Sequence, residues 1–216
     1  MRAESVHIVG KVYVTVPDDP GQCSASALSS AKCRLVRTAG HCVHAGAGGG
    51  RYSDFIFVPG FAGGRFRVTA RTAWVNNSNN DEDTAIAIMT NGGIYDATVG
   101  GKGLRWNRGY QVAVTILGYP AGGGFPGDVQ DFCQGTTWNG HNQQVRAWCN
   151  RKTTPDSVVS HRHDNPDHMD RPHFDNDIKS LYDYAEGCHR RDPRPMNGGV
   201  PAMAPGLRRG ATSQPV

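Results

Sequence analysis

The sequence lacks any uninterrupted apolar run of the length that crosses a membrane, and it lacks a surplus of charge of either sign. A membrane-spanning helix needs about 18 or more consecutive apolar residues. The formal net charge of the 216 residues is only +4, and the lysines and arginines are scattered rather than grouped along one face. These absences argue against insertion into a membrane and against binding of nucleic acid. A basic start followed by an apolar stretch, which marks a secretory signal, is also missing at the N-terminus.

Cysteine occurs six times, but no two cysteines have the Cys-x-x-Cys spacing that indicates a zinc site. Six cysteines in a glycine-rich chain instead indicate structural disulfides, which persist in oxidising compartments. This interpretation conflicts with the missing signal, and we give the cysteines the greater weight. We therefore expect a secreted protein whose N-terminus is cut short or assigned from the wrong start.

Two pairs of cysteines bracket predicted hairpins. Cys23 and Cys42 enclose one hairpin and Cys133 and Cys149 enclose another, so a disulfide within each pair is favoured, although spacing alone does not fix the pairing. The other two cysteines have no obvious partners, so pairing with each other, with another chain or with nothing stays open. These two are Cys33 and Cys188.

The composition favours strands over helices, because 28 glycines stand among short runs of Val, Thr, Tyr and Trp. From residues 6–16 to the segment DTAIAIM at 83–89, strand-like runs alternate with turn residues, which predicts a closed antiparallel barrel. A second set of strands begins with YQVAVTILGYP at 110–120. The sequence therefore predicts an all-β fold of two antiparallel β-barrels.

We assign residues 1–187 to one domain and 188–216 to a disordered tail that is too rich in Pro, Gly and Arg to form a core. The first barrel covers 6–95, the second covers 96–175, and a short C-terminal α-helix covers 176–187.

The helix prediction depends on four apolar residues with helical spacing, on a capping residue and on a glycine that ends the helix. The apolar residues are Ile178, Leu181, Tyr182 and Ala185, the cap is Asn176 and the glycine is Gly187.

The stretch LVRTAGHCVHAG at residues 35–46 ends an apolar run in a tight turn and places a histidine beside a cysteine. An imidazole fixed in this way can take and return a proton near neutral pH. The motif TAGHC resembles the histidine motif of chymotrypsin-like, or trypsin-like, serine peptidases, and its surroundings look like their secreted bacterial, glutamyl-endopeptidase-like branch. The resemblance spans 6–149 and includes the segments DTAIAIM, GYPAGG and FCQGTT.

The resemblance implies a trypsin-like peptidase domain over residues 1–187, with the active site between the two barrels. It makes His41 the general base and Asp83 the carboxylate that holds the histidine tautomer and stabilises the imidazolium. Taken alone, the aspartate would be a turn residue and the histidine a buried structural one. The resemblance also implies a peptide or protein substrate, a monomer, and no metal or organic cofactor.

The nucleophile of this family is missing, because no serine in the chain is followed by glycine. The family needs Gly-x-Ser-Gly-Gly, since small residues let backbone N–H groups face the developing oxyanion. We interpret the absence of this motif as the loss of a block of about 20 residues after Cys149, which is the size of a hairpin with its loop. This loss leaves the second barrel incomplete. Ser157 is the only substitute, and Val158 and Val159 after it cannot form the required turn.

Loss of the nucleophile costs about 10⁶-fold in turnover. We therefore expect a serine-endopeptidase family member that is inactive as written. The alternative is a pseudopeptidase that binds a peptide or protein in the cleft between the barrels without cutting it.

Two further features are singled out by the sequence. The His-rich segment at 161–173 could bind zinc in principle, but its spacing fits no tight ligand set, so we predict no metal. Arg37 lies in a predicted strand where relatives usually have an apolar residue, and a buried arginine there would need a partner.

Overall fold

The structure, a computed structural model, describes residues 7–16, 20–31, 34–45, 49–61, 68–76, 83–89, 100–122, 125–140, 144–149, 161–162 and 168–187. Within these residues the chain forms a closed six-stranded antiparallel barrel, a five-stranded antiparallel sheet, a two-stranded ribbon and a single α-helix. In this described part, no helix is both long and apolar enough to span a bilayer.

The closed barrel is built from the first six strands, each paired antiparallel with its neighbours in the order β1, β2, β3, β6, β5, β4. The strands are β1 (Val9–Thr15), β2 (Pro20–Leu28), β3 (Leu35–Thr38), β4 (Ser53–Pro59), β5 (Val68–Asn76) and β6 (Thr84–Met89).

The barrel core follows from the two-residue period of its strands, since residues two apart point to the same face. Four strands each have two such residues that point into the barrel, and each of these residues is less than a tenth exposed. Small alanines on β2 and β6 face the rings of β4, which lets large and small side chains interdigitate. The pairs are Val12 and Val14, Ala25 and Ala27, Phe55 and Phe57, and Ala85 and Ala87.

The second sheet has the strand order β12, β13, β11, β10, β7, and it is open within the described residues. Its small core is the disulfide between Cys133 and Cys149, packed against Met169 and Ile116. The strands are β7 (Ala113–Gly118), β10 (Asp131–Asn139), β11 (Gln144–Trp148), β12 (His161–Arg162) and β13 (His168–Pro172), while β8 (Ala121–Gly122) and β9 (Phe125–Pro126) form the ribbon.

Tyr119 joins the two sheets. Its backbone N–H donates to Oγ of Ser24 on β2 at 2.8 Å, and its ring meets the ring of Phe61 edge-on at 5.7 Å. The residue is only 2% exposed. The segment that follows β7 is therefore fixed against the outside of the first barrel.

The helix α1 (Asn176–Glu186) lies where the period predicts it, but the predicted cap is wrong by one residue. The side chain of Asp175, rather than that of Asn176, accepts hydrogen bonds from the backbone N–H groups of Asp177 and Ile178. An N-cap side chain must reach the second and third N–H groups of the helix, and only the residue before the first turn can do so. The helix ends at Gly187, which keeps a right-handed conformation with φ of −62°.

The helix packs on the first barrel, although it follows the second sheet in the chain. Ala185 on α1 lies in one apolar cluster with Leu28, Leu35 and Ile86 of the barrel. At the end of the helix, the hydroxyl of Tyr182 donates to the Ser29 carbonyl at 2.7 Å. The carboxylate of Glu186 accepts from the backbone N–H of Ala31 at 3.2 Å. The C-terminal helix thus ties the two halves together.

Some predicted features lie outside the described residues. These are the tail at 188–216, Cys33, Cys188, Ser157 and the proposed junction after Cys149.

We expect Asp175→Ala to lower the free energy of unfolding by about 1 kcal/mol, because two N–H groups of the first turn lose their acceptor. Urea denaturation followed by circular dichroism measures the change. Ser180→Ala, an exposed change on the same helix, is the control and should stay within about 0.5 kcal/mol of the parent. Equal effects of the two substitutions would contradict the assigned cap.

Burial raises the pKa of Tyr119 to about 12 from its ordinary value of 10.0, and the hydrogen bond from Gln130 opposes the shift. Between these two values the unfolded chain has lost the phenolic proton while the folded protein keeps it, so stability falls as the pH rises. We expect the free energy of unfolding to fall more steeply from pH ~10 to ~12 in the parent than in Tyr119→Phe. Urea denaturation across this range tests it, and parallel curves would contradict it.

Candidate active site

His41 lies in a short 3₁₀ turn, Gly40–Cys42, directly after β3. The turn is closed by hydrogen bonds from the N–H groups of Cys42 and Val43 to the carbonyls of Ala39 and Gly40. A disulfide joins Cys42 to Cys23 on the neighbouring strand β2. The turn and the disulfide together fix His41 at the rim of the barrel, where 47% of its side-chain surface is exposed.

Asp83 directly precedes β6 and is 2% exposed. Strand β6 pairs with β3 so that Ala85 lies opposite Thr38, which brings the start of β6 beside the turn that carries His41. The Oδ1 atom of Asp83 accepts from the backbone N–H of His41 at 2.7 Å, and Oδ2 contacts the ring Nδ1 at 2.6 Å. Both oxygens of the buried carboxylate are therefore satisfied by one residue.

This arrangement sets the proton positions on the imidazole ring. A carboxylate only accepts, so Nδ1 carries a proton and Nε2 of the neutral ring carries the basic lone pair. The negative charge also stabilises the imidazolium that forms when Nε2 takes a second proton. The pair can therefore act as a general base and then as a general acid toward a group placed at Nε2.

Arg37 on β3 is 8% exposed, so the arginine that the sequence singled out is buried. Its guanidinium carbon lies 4.6 Å from the centre of the Phe174 ring, and the guanidinium carbon of Arg171 lies 5.1 Å from the same ring. Burial lowers the pKa of Arg37, the nearby Arg171 lowers it further, and Asp83 opposes both effects.

The partners of Arg37 could not be found from the sequence. Arg171 lies on β13 and Phe174 in the connection between β13 and α1, far along the chain, and no motif marks either residue. The only signal was Arg37 itself, a charged residue in a strand whose neighbours are apolar.

The histidine-rich segment does not assemble a ligand set in the described residues. The Nε2 atom of His173 contacts the Arg108 carbonyl, while the Asp170 carboxylate binds Arg146 through two hydrogen bonds of 2.7 and 2.8 Å. The ring of His168 instead lies edge-on against two tryptophans, Trp138 and Trp148. The side chains of the other members, His161, His163, Asp164 and Asp167, lie outside the described residues.

One group of potential ligand atoms is close together in the described part of the chain, formed by Cys23, His41 and Cys42. The two sulfur atoms are bonded to each other, so neither is a thiolate that could bind a metal. This group therefore does not fit a metal ion.

Comparison with known proteins finds similarity at the level of structure. No protein-family model matches the sequence, and no curated protein is significantly similar to it. The protease Anisep from Arthrobacter nicotinovorans is 26% identical with a TM-score of 0.77, and the alignment covers 86% of this chain and 98% of Anisep. The thermostable serine protease AL20 from an extremophilic microorganism is 24% identical with a TM-score of 0.75, covering 86% of this chain and 99% of AL20.

A more distant match shows the same architecture. A mutant of human heparin binding protein (CAP37) is 12% identical with a TM-score of 0.63, and the alignment covers 90% of this chain and 97% of that one. These neighbours have the trypsin-like serine protease fold, and the predicted two-barrel fold is confirmed. The comparisons thus place the chain among proteins with the fold of serine proteases.

Asp83→Asn should move the proton of the neutral His41 ring from Nδ1 to Nε2, because the amide nitrogen donates where the carboxylate accepted. The ¹⁵N chemical shifts of the labelled ring report the tautomer directly. His173 is the internal control, since its Nε2 atom contacts a carbonyl oxygen, which can only accept. An unchanged His41 pattern in the variant would show that Asp83 does not set the tautomer.

Proposed function

We propose that this chain is a serine-endopeptidase-type protein in which His41 and Asp83 form the proton-transfer half of a catalytic triad. The observation that carries the proposal is the double hydrogen bond between them, in a turn held by a disulfide. The trypsin-like fold supports it, since the neighbours Anisep and AL20 are described as proteases. The domain that performs this function is residues 1–187 in our proposal.

The roles of the two residues follow from their geometry. His41 Nε2 takes the hydroxyl proton of a serine as the serine oxygen bonds to the peptide carbonyl carbon. The resulting imidazolium, stabilised by Asp83, then gives its proton to the departing amine. In the second half of the reaction, His41 takes a proton from the water that attacks the acyl group and returns it to the serine oxygen. Neither residue needs a metal or an organic cofactor for this proton transfer.

The nucleophile is the part that the sequence does not supply. Because no serine precedes a glycine, we propose that the segment with the nucleophile and the oxyanion hole is missing and that the chain does not turn over peptides. Membership of the glutamyl-endopeptidase-like branch belongs to the same proposal and rests on the sequence motifs alone.

A second function is favoured by the combination of an ordered His41–Asp83 pair with the absent serine motif. In this alternative the protein is a pseudopeptidase that holds a peptide or protein in the cleft between the barrels. The two disulfides fit secretion, which we propose as the location, and we propose a monomer as the functional state.

A fluorophosphonate probe tests the enzyme function, because it bonds covalently only to an activated serine. We expect the full chain to be labelled no more than its His41→Ala variant, and fluorogenic peptides to be cleaved at least about 10⁶-fold more slowly than by a complete triad. Stoichiometric labelling would contradict the proposed inactivity.

If the probe labels the chain, the Ser157→Ala variant shows whether Ser157 is the labelled residue. Loss of the label in this variant would make Ser157 the nucleophile and the chain an active enzyme.

The binding alternative is measured by fluorescence anisotropy with fluorescein-labelled casein peptides. Saturable binding that His41→Trp weakens would support the pseudopeptidase, and no binding would argue against it.

A further inference from the structure

A buried guanidinium lies on the outer face of the first barrel without the partners that such a group requires. Arg37 is 8% exposed, and its Nε atom has no hydrogen-bond partner. It follows Leu35 by two residues on β3 and lies opposite Ile86 on β6, and both of these neighbours belong to the apolar cluster under α1. Burying a charge is costly unless an opposite charge or hydrogen bonds compensate it. These apolar neighbours provide neither.

Arg171 on β13 brings a second guanidinium to the same place, and its Nη1 atom donates to the Pro172 carbonyl at 3.5 Å. The guanidinium carbons of Arg37 and Arg171 lie 4.6 and 5.1 Å from the centre of the Phe174 ring. Burial lowers the pKa of both arginines. For Arg37 the charge of Arg171 adds to this effect, Asp83 opposes it, and the pKa is about 9. Both groups are therefore charged at neutral pH, and a ring attracts a cation too weakly to neutralise two of them.

The acidic side chains closest to Arg171 in the chain already bind other groups. Asp170 binds the largely buried Arg146 through two hydrogen bonds. Asp175 accepts from backbone N–H groups at the start of α1. Within the described residues, no ion pair joins a carboxylate to Arg37 or Arg171. In this part of the chain, one buried arginine thus has a carboxylate partner and two on a shared ring have none.

We propose that Arg37 and Arg171 form a binding site for a small oxyanion, of the class of sulfate, phosphate or a simple carboxylate, beside the ring of Phe174. A guanidinium presents its N–H groups in a planar fork that matches the oxygens of such an anion. Burial sets the size limit, because Arg37 is almost enclosed while the partly exposed Arg171 gives access from solvent.

The site lies where the first barrel and the second sheet meet, since Arg37 belongs to β3 and Arg171 to β13. Ligand sites are often formed at such junctions. A bound anion would connect the two strands through charge-assisted hydrogen bonds and would stabilise the folded protein. The site uses neither His41 nor Asp83, so the proposal does not rest on the proposed function.

Nuclear magnetic resonance of the full chain tests the site directly, with sodium sulfate as the probe and sodium chloride keeping the ionic strength constant. We expect the Nε–H resonance of Arg37, identified by its loss in Arg37→Lys, to shift saturably, because a sulfate oxygen accepts from this group. The Nε–H group of Arg146 already donates to Asp170, so its resonance is the internal control and should stay in place. An Arg37 resonance that moves no more than that of Arg146 would overturn the proposal.

Urea denaturation tests the two arginines as a pair. At ten times the dissociation constant found by titration, sulfate should raise the folding equilibrium constant of the parent about tenfold. Arg37→Met and Arg171→Met should each reduce this increase to less than about twofold. Lys179→Met removes an exposed positive charge from α1 and should keep the full increase.

Sulfate also stabilises many proteins by being excluded from their surfaces, and that general effect would be the same in every variant. An equal increase in the parent and in Arg37→Met would therefore overturn the site. Without sulfate, Arg37→Met should be at least as stable as the parent, because methionine suits the apolar neighbours and removes an unpaired charge. If this variant does not fold, Arg171→Met and the Arg37 resonance of the parent decide.

Discussion

The carboxylate of Asp83 is the group on which the rest of the site depends. It is almost fully removed from water, and it accepts from the backbone N–H of His41 and contacts the ring Nδ1 of the same residue. A charge in such a place is stable only while each of its partners stays in position. The disulfide beside His41 and the pairing of β3 with β6 maintain that arrangement.

The resemblance to serine peptidases singled out His41 and Asp83 through the motifs TAGHC and DTAIAIM, and their roles remain a prediction. Taken alone, neither residue would have been chosen, and the contact between them, 42 positions apart in the chain, arises from the pairing of β3 with β6. The helix was placed correctly by its 3.6-residue period. Its cap was misassigned because Asp175 and Asn176 are both good capping types, and only the backbone geometry chooses between them.

The parts that the sequence could not predict are contacts between distant segments. Arg37 was marked as unusual, but its location above Phe174 depends on how the connection before α1 crosses the first barrel. The contact of Tyr119 with Ser24 likewise arises only when the two sheets meet. Periodicity reports which face of a strand is apolar, and it contains no information about which remote segment covers that face.

The C-terminal helix has a consequence for the order in which the protein forms during synthesis. The outer face of the first barrel includes Leu28, Leu35 and Ile86, which α1 covers. The ribosome releases these residues long before it makes the helix, so the apolar face is exposed while the second half is translated. The barrel can close early, but its surface becomes complete only when nearly all of the domain has left the ribosome. Chaperones that recognise apolar strands therefore have their longest opportunity at this face.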